Sequence, residues 1–147
     1  MISLVSEEAM GKTALARKVY NRLDVRQHFK CHVWLHVPKN IECKDLLIVL
    51  LKQIPMELLK GVELMSEDKL SALHFQTLIE LRFLIVLDNV FSFDVWLMLA
   101  CPFADAANGS RVILTTRDSK ISSDVDLWSH PPLGIVLEQV SCRQTLL

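Results

Sequence analysis

Residues 83–88 read Phe-Leu-Ile-Val-Leu-Asp, and this stretch decides the fold class. An uninterrupted apolar run of this length is typical of a parallel β-strand that is buried on both faces. Asp88 follows the run directly, so a carboxylate stands at the carboxyl end of the predicted strand. Ligands of open α/β sheets bind outside the carboxyl ends of the strands. The stretch therefore predicts a buried central strand that holds an acidic residue at the edge of a binding site.

Other apolar and amphipathic segments alternate on both sides of this strand. Further strands are predicted at residues 2–5, 31–37, 111–115 and 134–137. Apolar residues at helical spacing predict helices at residues 12–23, 45–54 and 66–82. Ser66 is the expected N-cap of the third of these helices. The alternation predicts an α/β fold in which helices cover both faces of a mostly parallel, five-stranded sheet.

The tripeptide Gly11-Lys12-Thr13 lies between the first predicted strand and the first predicted helix. It matches the end of a Walker A loop, in which backbone N–H groups curl around phosphates, the lysine meets the outer phosphates and the hydroxyl meets Mg²⁺. The N-terminus of the helix beside Lys12 also favours anions. This order predicts a P-loop NTPase-like, three-layer α/β/α domain that binds a nucleotide through Gly11, Lys12, Thr13 and Ala14.

Two more segments belong to the same predicted site. The strand that ends at Asp88 has the Walker B pattern, in which the acidic residue faces the Mg²⁺ shell, so Thr13 and Asp88 form the predicted metal site. Residues 111–117 end in Arg117, whose planar guanidinium can bind a terminal phosphate through two hydrogen bonds. Thr115 and Thr116 are interpreted only as strand formers, because β-branched residues favour strands.

The segments around these motifs carry a family resemblance. Residues 84–91 read Leu-Ile-Val-Leu-Asp-Asn-Val-Phe, and residues 109–117 read Gly-Ser-Arg-Val-Ile-Leu-Thr-Thr-Arg. Both are similar to the kinase-2 motif, and to the motif that follows it, of the NB-ARC domain in plant disease-resistance proteins. Residues 13–20 resemble the first helix of that family, and residues 28–37 resemble its second strand.

The resemblance implies a partial NB-ARC domain over residues 1–140. Residues 141–147 are then a C-terminal tail that ends before the helical subdomains of the family. The resemblance further implies a cytoplasmic switch in plant defence that binds ADP or ATP with Mg²⁺. The partners that it implies are an adenine nucleotide and other resistance-protein domains or a second copy of the chain.

The phosphate loop departs from the family pattern, Gly-x-Gly-Gly-x-Gly-Lys-Thr. Ser6, Glu8 and Ala9 stand where the family has glycine. A carboxylate about 6 Å from a phosphate costs roughly 3 kcal/mol at an effective dielectric constant near 20, so weakened nucleotide binding is expected. Asn89 replaces a second acidic residue, and an amide cannot act as the base for an attacking water. The prediction is at most a weak ATPase, with no catalytic residue assigned.

Composition argues against two classes of partner. The net charge of −1 and the pI of about 6.5 show no basic excess, so no nucleic-acid partner is predicted. The longest aliphatic run, residues 46–51, is far shorter than the roughly 18 to 20 residues that cross a bilayer, so no membrane span is predicted. The four cysteines form no Cys-x-x-Cys pair and are read as reduced thiols of a cytosolic protein.

Two further features are interpreted as structural. His28, His32 and His36 recur every four residues, but their segment alternates like a strand, so a zinc site is not predicted. Trp96 follows the Walker B strand and is expected to pack in the core.

Two alternatives to the nucleotide switch stay open. The chain could be a nucleotide-independent interaction module with an exposed apolar face. It could also be the product of a truncated gene that folds poorly, which the positive mean hydropathy of +0.31 and the lost glycines favour.

Overall fold

The computed structural model describes the backbone of residues 2–5, 11–55, 60–105 and 108–129. It describes the side chains of residues 11–55, 60–100 and 108–125. The predicted fifth strand at residues 134–137, the loop residues 6–10 and the predicted tail lie outside these ranges.

Four strands form one parallel sheet in the described part of the chain. They are β1 (Ile2–Val5), β2 (Cys31–His36), β3 (Phe83–Val90) and β4 (Arg111–Thr116). Their order across the sheet is β1-β4-β3-β2, and every neighbouring pair is parallel. The four strands predicted at these positions are confirmed, and β3 occupies the central place expected for a fully apolar strand.

Within the described ranges, six α-helices connect or follow these strands. They are α1 (Lys12–Tyr20), α2 (Leu23–His28), α3 (Cys43–Gln53), α4 (Glu67–Ile79), α5 (Phe93–Asp105) and α6 (Ser119–Ser129), with a 3-10 turn at Val62–Leu64. The helix predicted over residues 12–23 is wrong in its last turn. Arg22 adopts an extended conformation, φ −63° and ψ 136°, so α1 stops before it and a separate helix starts at Leu23.

Helices cover both faces of the sheet. Leu84 and Val86 of β3 pack with Ala16 of α1 on one face. The alternate residues of β3, Ile85 and Leu87, lie in a larger core with residues of α3, α4, α5 and α6 on the other face. Both faces of β3 are therefore buried, as its uninterrupted apolar sequence predicts.

The positions of Trp96 and Ser66 can be compared with the structural roles predicted for them. Trp96 is fully buried in the larger core, which confirms the packing role predicted for it. Ser66 occupies the N-cap position of α4, as predicted, although its side chain makes no capping hydrogen bond. No helix in the described part of the chain has both the length and the apolar character needed to cross a membrane.

Candidate functional site

A cavity of about 590 Å³ opens where the carboxyl ends of β3 and β4 meet the N-terminus of α1. The six residues predicted to bind nucleotide and metal all line it, namely Gly11, Lys12, Thr13, Ala14, Asp88 and Arg117. Five residues that were not predicted also line it, namely Arg17, His36, Asn89, Thr115 and Thr116. Because parallel strands end at one edge of the sheet, residues far apart in the sequence converge here.

Gly11 is the residue from which α1 starts. Its φ of 72° lies in the left-handed region, which glycine adopts at little cost and most other residues avoid. A Cβ atom at this position would meet nothing within 4 Å, so the backbone conformation and not crowding requires the glycine. Its carbonyl oxygen accepts a 2.8 Å hydrogen bond from the N–H of Leu15, which closes the first turn of the helix.

Asp88 is the centre of the hydrogen-bond network in the cavity. Its Oδ1 atom accepts hydrogen bonds from the hydroxyls of Thr13 and Thr115, each at 2.7 Å. Its Oδ2 atom lies 3.1 Å from Nδ1 of His36. The side chain is almost fully buried, so these three partners replace water around the carboxylate. The two residues predicted to share a metal, Thr13 and Asp88, are thus in direct contact.

Asn89 introduces an irregularity into β3 immediately after Asp88. Its φ of 65° lies in the left-handed region, which asparagine tolerates better than most residues. The register between β3 and β4 shifts between Leu87 and Val90, as at a β-bulge. The N–H of Asn89 donates a 2.8 Å hydrogen bond to the hydroxyl of Thr115. The strand predicted to end at Leu87 therefore continues beyond the acidic residue, with a bulge at the cavity.

The two threonines at the end of β4 have roles beyond strand propensity. Thr115 links Asp88 to Asn89, because its hydroxyl donates a hydrogen bond to the carboxylate of Asp88 and accepts one from the N–H of Asn89. The hydroxyl of Thr116 donates to the carbonyl of Val90 at 2.8 Å and accepts from the N–H of Asp118 at 3.1 Å. The interpretation of Thr115 and Thr116 as strand formers alone was wrong, and their position at the carboxyl end of a strand was the available signal.

Comparison with known proteins identifies the family. The NB-ARC domain profile matches residues 1–142 of this chain. The chain belongs to the NB-ARC family. The resemblance found in the kinase-2 segment and the segment after β3 is thereby confirmed.

Its relatives include several plant disease-resistance proteins. The chain is 31% identical over 144 residues to the disease resistance protein RPP13 of Arabidopsis thaliana, a match that covers 95% of this chain and 17% of that protein. It is 32% identical over 123 residues to the ToMV resistance protein Tm-2(2) of Solanum lycopersicum, covering 82% of this chain and 14% of that protein. The chain therefore spans less than a fifth of the length of these relatives.

Arg17 and His36 complete the cavity of this NB-ARC domain. Arg17 lies four residues after Thr13 on α1, so both side chains are on the same face of the helix. Its guanidinium is 5.0 Å from the ring centre of Trp34, a distance at which a cation attracts an aromatic ring. His36 ends β2 and reaches Asp88 because the two residues are paired in the sheet register. The spacing of four residues from Thr13 could have indicated that Arg17 lines the cavity. The place of His36 in the cavity could be known only from the register between β2 and β3.

The environment of Asp88 sets its ionisation in the NB-ARC site. Burial raises the pKa of its carboxyl group, but hydrogen bonds from Thr115, Thr13 and His36, together with the charge of His36, outweigh burial. The resulting pKa lies below the ordinary value of an aspartate. Asp88 is consequently ionised at neutral pH and available to a cation.

A pH-dependent contribution to stability follows from this lowered pKa. Ionised Asp88 stabilises the fold above the unfolded-state pKa, which is about 3.9, and the contribution disappears as the pH falls through the lower folded-state pKa. We expect Asp88→Asn to lower the free energy of unfolding by about 1 to 2 kcal/mol at pH 7 and by less near pH 3, which lies below the unfolded-state pKa of about 3.9. Urea unfolding of both proteins at the two pH values measures this. A difference of equal size at both would contradict the ionic role of Asp88.

The donor atoms of the site suit Mg²⁺ in part. Hydroxyl and carboxylate oxygens are the ligand type that Mg²⁺ prefers, and Thr13 and Asp88 supply one of each within hydrogen-bond distance. Elsewhere among the described residues, no three histidine, cysteine, aspartate or glutamate side chains come together as a metal site. A magnesium ion held by Thr13 and Asp88 would need phosphate and water oxygens for its remaining positions, as is usual for Mg²⁺.

Proposed function

We propose that this NB-ARC domain binds ADP or ATP together with Mg²⁺ in the cavity at the carboxyl ends of β3 and β4. The observation that carries the proposal is the 2.7 Å hydrogen bond from Thr13 to Asp88. It brings a Walker A hydroxyl and a Walker B carboxylate, 75 residues apart in sequence, into one contact. The contact lies at the carboxyl edge of the sheet, where ligands of open α/β folds bind.

Each of the predicted residues has a role in this proposal. Lys12 contacts the β-phosphate from the N-terminus of α1, where the helix dipole also favours an anion. Thr13 and Asp88 hold Mg²⁺, and Arg117 contacts the terminal phosphate. Gly11 and Ala14 contribute backbone N–H groups at the start of the helix.

Binding and exchange of nucleotide, with little or no hydrolysis, form the proposed activity. Asn89 occupies the position after Asp88, and its amide cannot accept a proton from an attacking water. A domain that holds its nucleotide without turning it over quickly suits a switch. We extend the proposal to a cytoplasmic switch in plant defence, in which residues 1–140 form the nucleotide-binding part and residues 141–147 form a C-terminal tail.

A calorimetric titration of ADP with Mg²⁺ into the purified chain tests the proposal. We expect saturable binding with a dissociation constant of about 100 µM, weaker than usual because Glu8 and Ala9 replace glycines of the loop. Adenosine, which has the same base and sugar but no phosphate, is the matched control and is expected not to bind. Circular dichroism establishes that the chain is folded. A folded chain that gives no signal with ADP would overturn the proposal.

The second candidate function is that of a nucleotide-independent interaction module. Two large apolar side chains favour it, because Leu64 is 92% exposed and Leu23 is 71% exposed. The partner would be another resistance-protein domain or a second copy of the chain. Sedimentation that shows self-association, unchanged by ADP and unaffected by replacement of Lys12, would support this function over nucleotide binding.

A further inference from the structure

A second cavity of about 500 Å³ adjoins the nucleotide cavity. Asn89, Thr116 and Arg117 line both cavities, so the two cavities adjoin at these three residues. The second cavity extends from them to Lys39, in the loop that follows β2, and to Asp118, before α6. A ligand bound beside Arg117 in the first cavity would therefore lie at the boundary with the second cavity, which Lys39 also lines.

The charges around the second cavity favour an anion. Lys39 and Arg117 are both exposed, and neither forms an ion pair within the ranges that the structure describes. Asp118 is the carboxylate on this lining, and its Oδ1 atom accepts a 2.8 Å hydrogen bond from the N–H of Lys120. Among the described residues of this lining, two cationic side chains and one backbone-bonded carboxylate give a net positive charge.

The position of Lys39 follows from how β2 ends. The N–H of Val37 donates a 2.9 Å hydrogen bond to the carbonyl of Asp88, and His36 contacts the carboxylate of the same residue. These two contacts hold the end of β2 against Asp88. Pro38 then restricts the backbone directly before Lys39. The ammonium group is thereby carried by a loop that is anchored at the proposed magnesium site.

We propose that the second cavity receives the terminal phosphate of a nucleoside triphosphate and that Lys39 is a specificity-determining residue for triphosphate over diphosphate. The proposal rests on the proposed nucleotide function. A diphosphate ends at Lys12 and the magnesium residues, whereas a third phosphate extends to Arg117 and comes within reach of Lys39. The long, flexible lysine side chain contributes a positive charge that only the longer ligand meets.

Titrations of Lys39 variants with two ligands test this inference. The ligands are ADP and a non-hydrolysable ATP analogue, each with Mg²⁺. We expect Lys39→Gln to weaken binding of the analogue about twofold to fivefold, the range for one exposed charge, and to change ADP binding less than twofold. Lys39→Arg keeps the positive charge and is expected to bind the analogue and ADP with the same relative affinities as the wild type. Lys39→Glu is expected to weaken binding of the analogue, relative to ADP, more than Lys39→Gln does. Lys69→Gln, an exposed lysine of α4 that lines neither cavity, is the matched control.

Each outcome decides between the two proposals. Selective loss of analogue binding in Lys39→Gln and Lys39→Glu, with Lys69→Gln unchanged, would support the role of Lys39. Equal weakening of both ligands, or no change in either, would overturn it while leaving nucleotide binding intact. Failure of the folded wild type to bind either ligand would overturn both proposals.

Discussion

Replacement of Lys12 with alanine is expected to abolish measurable binding of ADP with Mg²⁺. Lys12 is the first residue of α1, lines the nucleotide cavity and is only partly exposed. A hydrogen bond between charged groups contributes about 1.5 to 3 kcal/mol, which corresponds to a loss of roughly tenfold to more than a hundredfold in affinity. The loop retains only Gly11 of the four family glycines, so few other contacts can compensate. A dissociation constant of about 100 µM would therefore move into the millimolar range.

The matched control for this variant is Lys18→Ala. Lys18 lies on the same helix, is exposed and does not line the cavity, so its replacement removes the same charge from α1 without touching the site. Its dissociation constant is expected to stay within about twofold of the wild type. Calorimetry on both variants, after circular dichroism shows that they are folded, measures the effect. If Lys12→Ala binds ADP as tightly as Lys18→Ala, Lys12 does not contact the phosphate.

Replacement of Leu87 with alanine is expected to lower the free energy of unfolding by about 3 to 5 kcal/mol. Leu87 has no exposed surface and lies on β3, between β2 and β4 in the sheet. Its side chain belongs to the larger core, where removal of methyl and methylene groups leaves a cavity that the surrounding strands cannot fill. A domain of this size is stable by roughly 5 to 15 kcal/mol, so the loss is a large part of the total.

Leu64→Ala makes the same chemical change at the surface. Leu64 is 92% exposed, and its replacement is expected to change the free energy of unfolding by about 0.5 kcal/mol or less. Urea unfolding followed by tryptophan fluorescence compares the two variants, because Trp34 and Trp96 lie on opposite faces of the sheet. Similar effects at the two positions would mean that β3 is not the central strand of a packed core. A chain without a cooperative transition would favour the reading of a poorly folding gene product.

The central elements of the fold were predictable because their signals are local. The apolar run of residues 83–87 predicted a buried strand, and the Gly11-Lys12-Thr13 segment predicted the start of a helix after a strand. The ends of elements were less predictable. Residues 12–23 carry a continuous helical pattern, yet the backbone is extended at Arg22. Helix propensity is a weak preference that the tertiary fold can override at a single residue.

The candidate site was predictable to the extent that its residues belong to motifs. Gly11, Lys12, Thr13, Ala14, Asp88 and Arg117 line one cavity because the motifs lie at strand ends. Thr115, His36 and Arg17 were missed, since each is one side chain inside a strand or helix with an adequate structural explanation of its own. Their roles at the cavity become visible only from their contacts in the folded chain, with Asp88 for Thr115 and His36 and with Trp34 for Arg17.

Local patterns of residues are enough to predict the alternation of strands and helices, the family and the motif residues at the edge of the sheet. These follow from periodicity, apolar runs and short segments, all of which act within a few residues along the chain. The tertiary fold brings Asp88 into contact with Thr13, Thr115 and His36, which lie 75, 27 and 52 residues away from it and which no local pattern links to it. It also decided that Asn89 forms a bulge and that Lys39 shares a second cavity with Arg117. Such contacts depend on strand order and register, which are set when the two faces of the sheet pack and not by any one segment of the sequence.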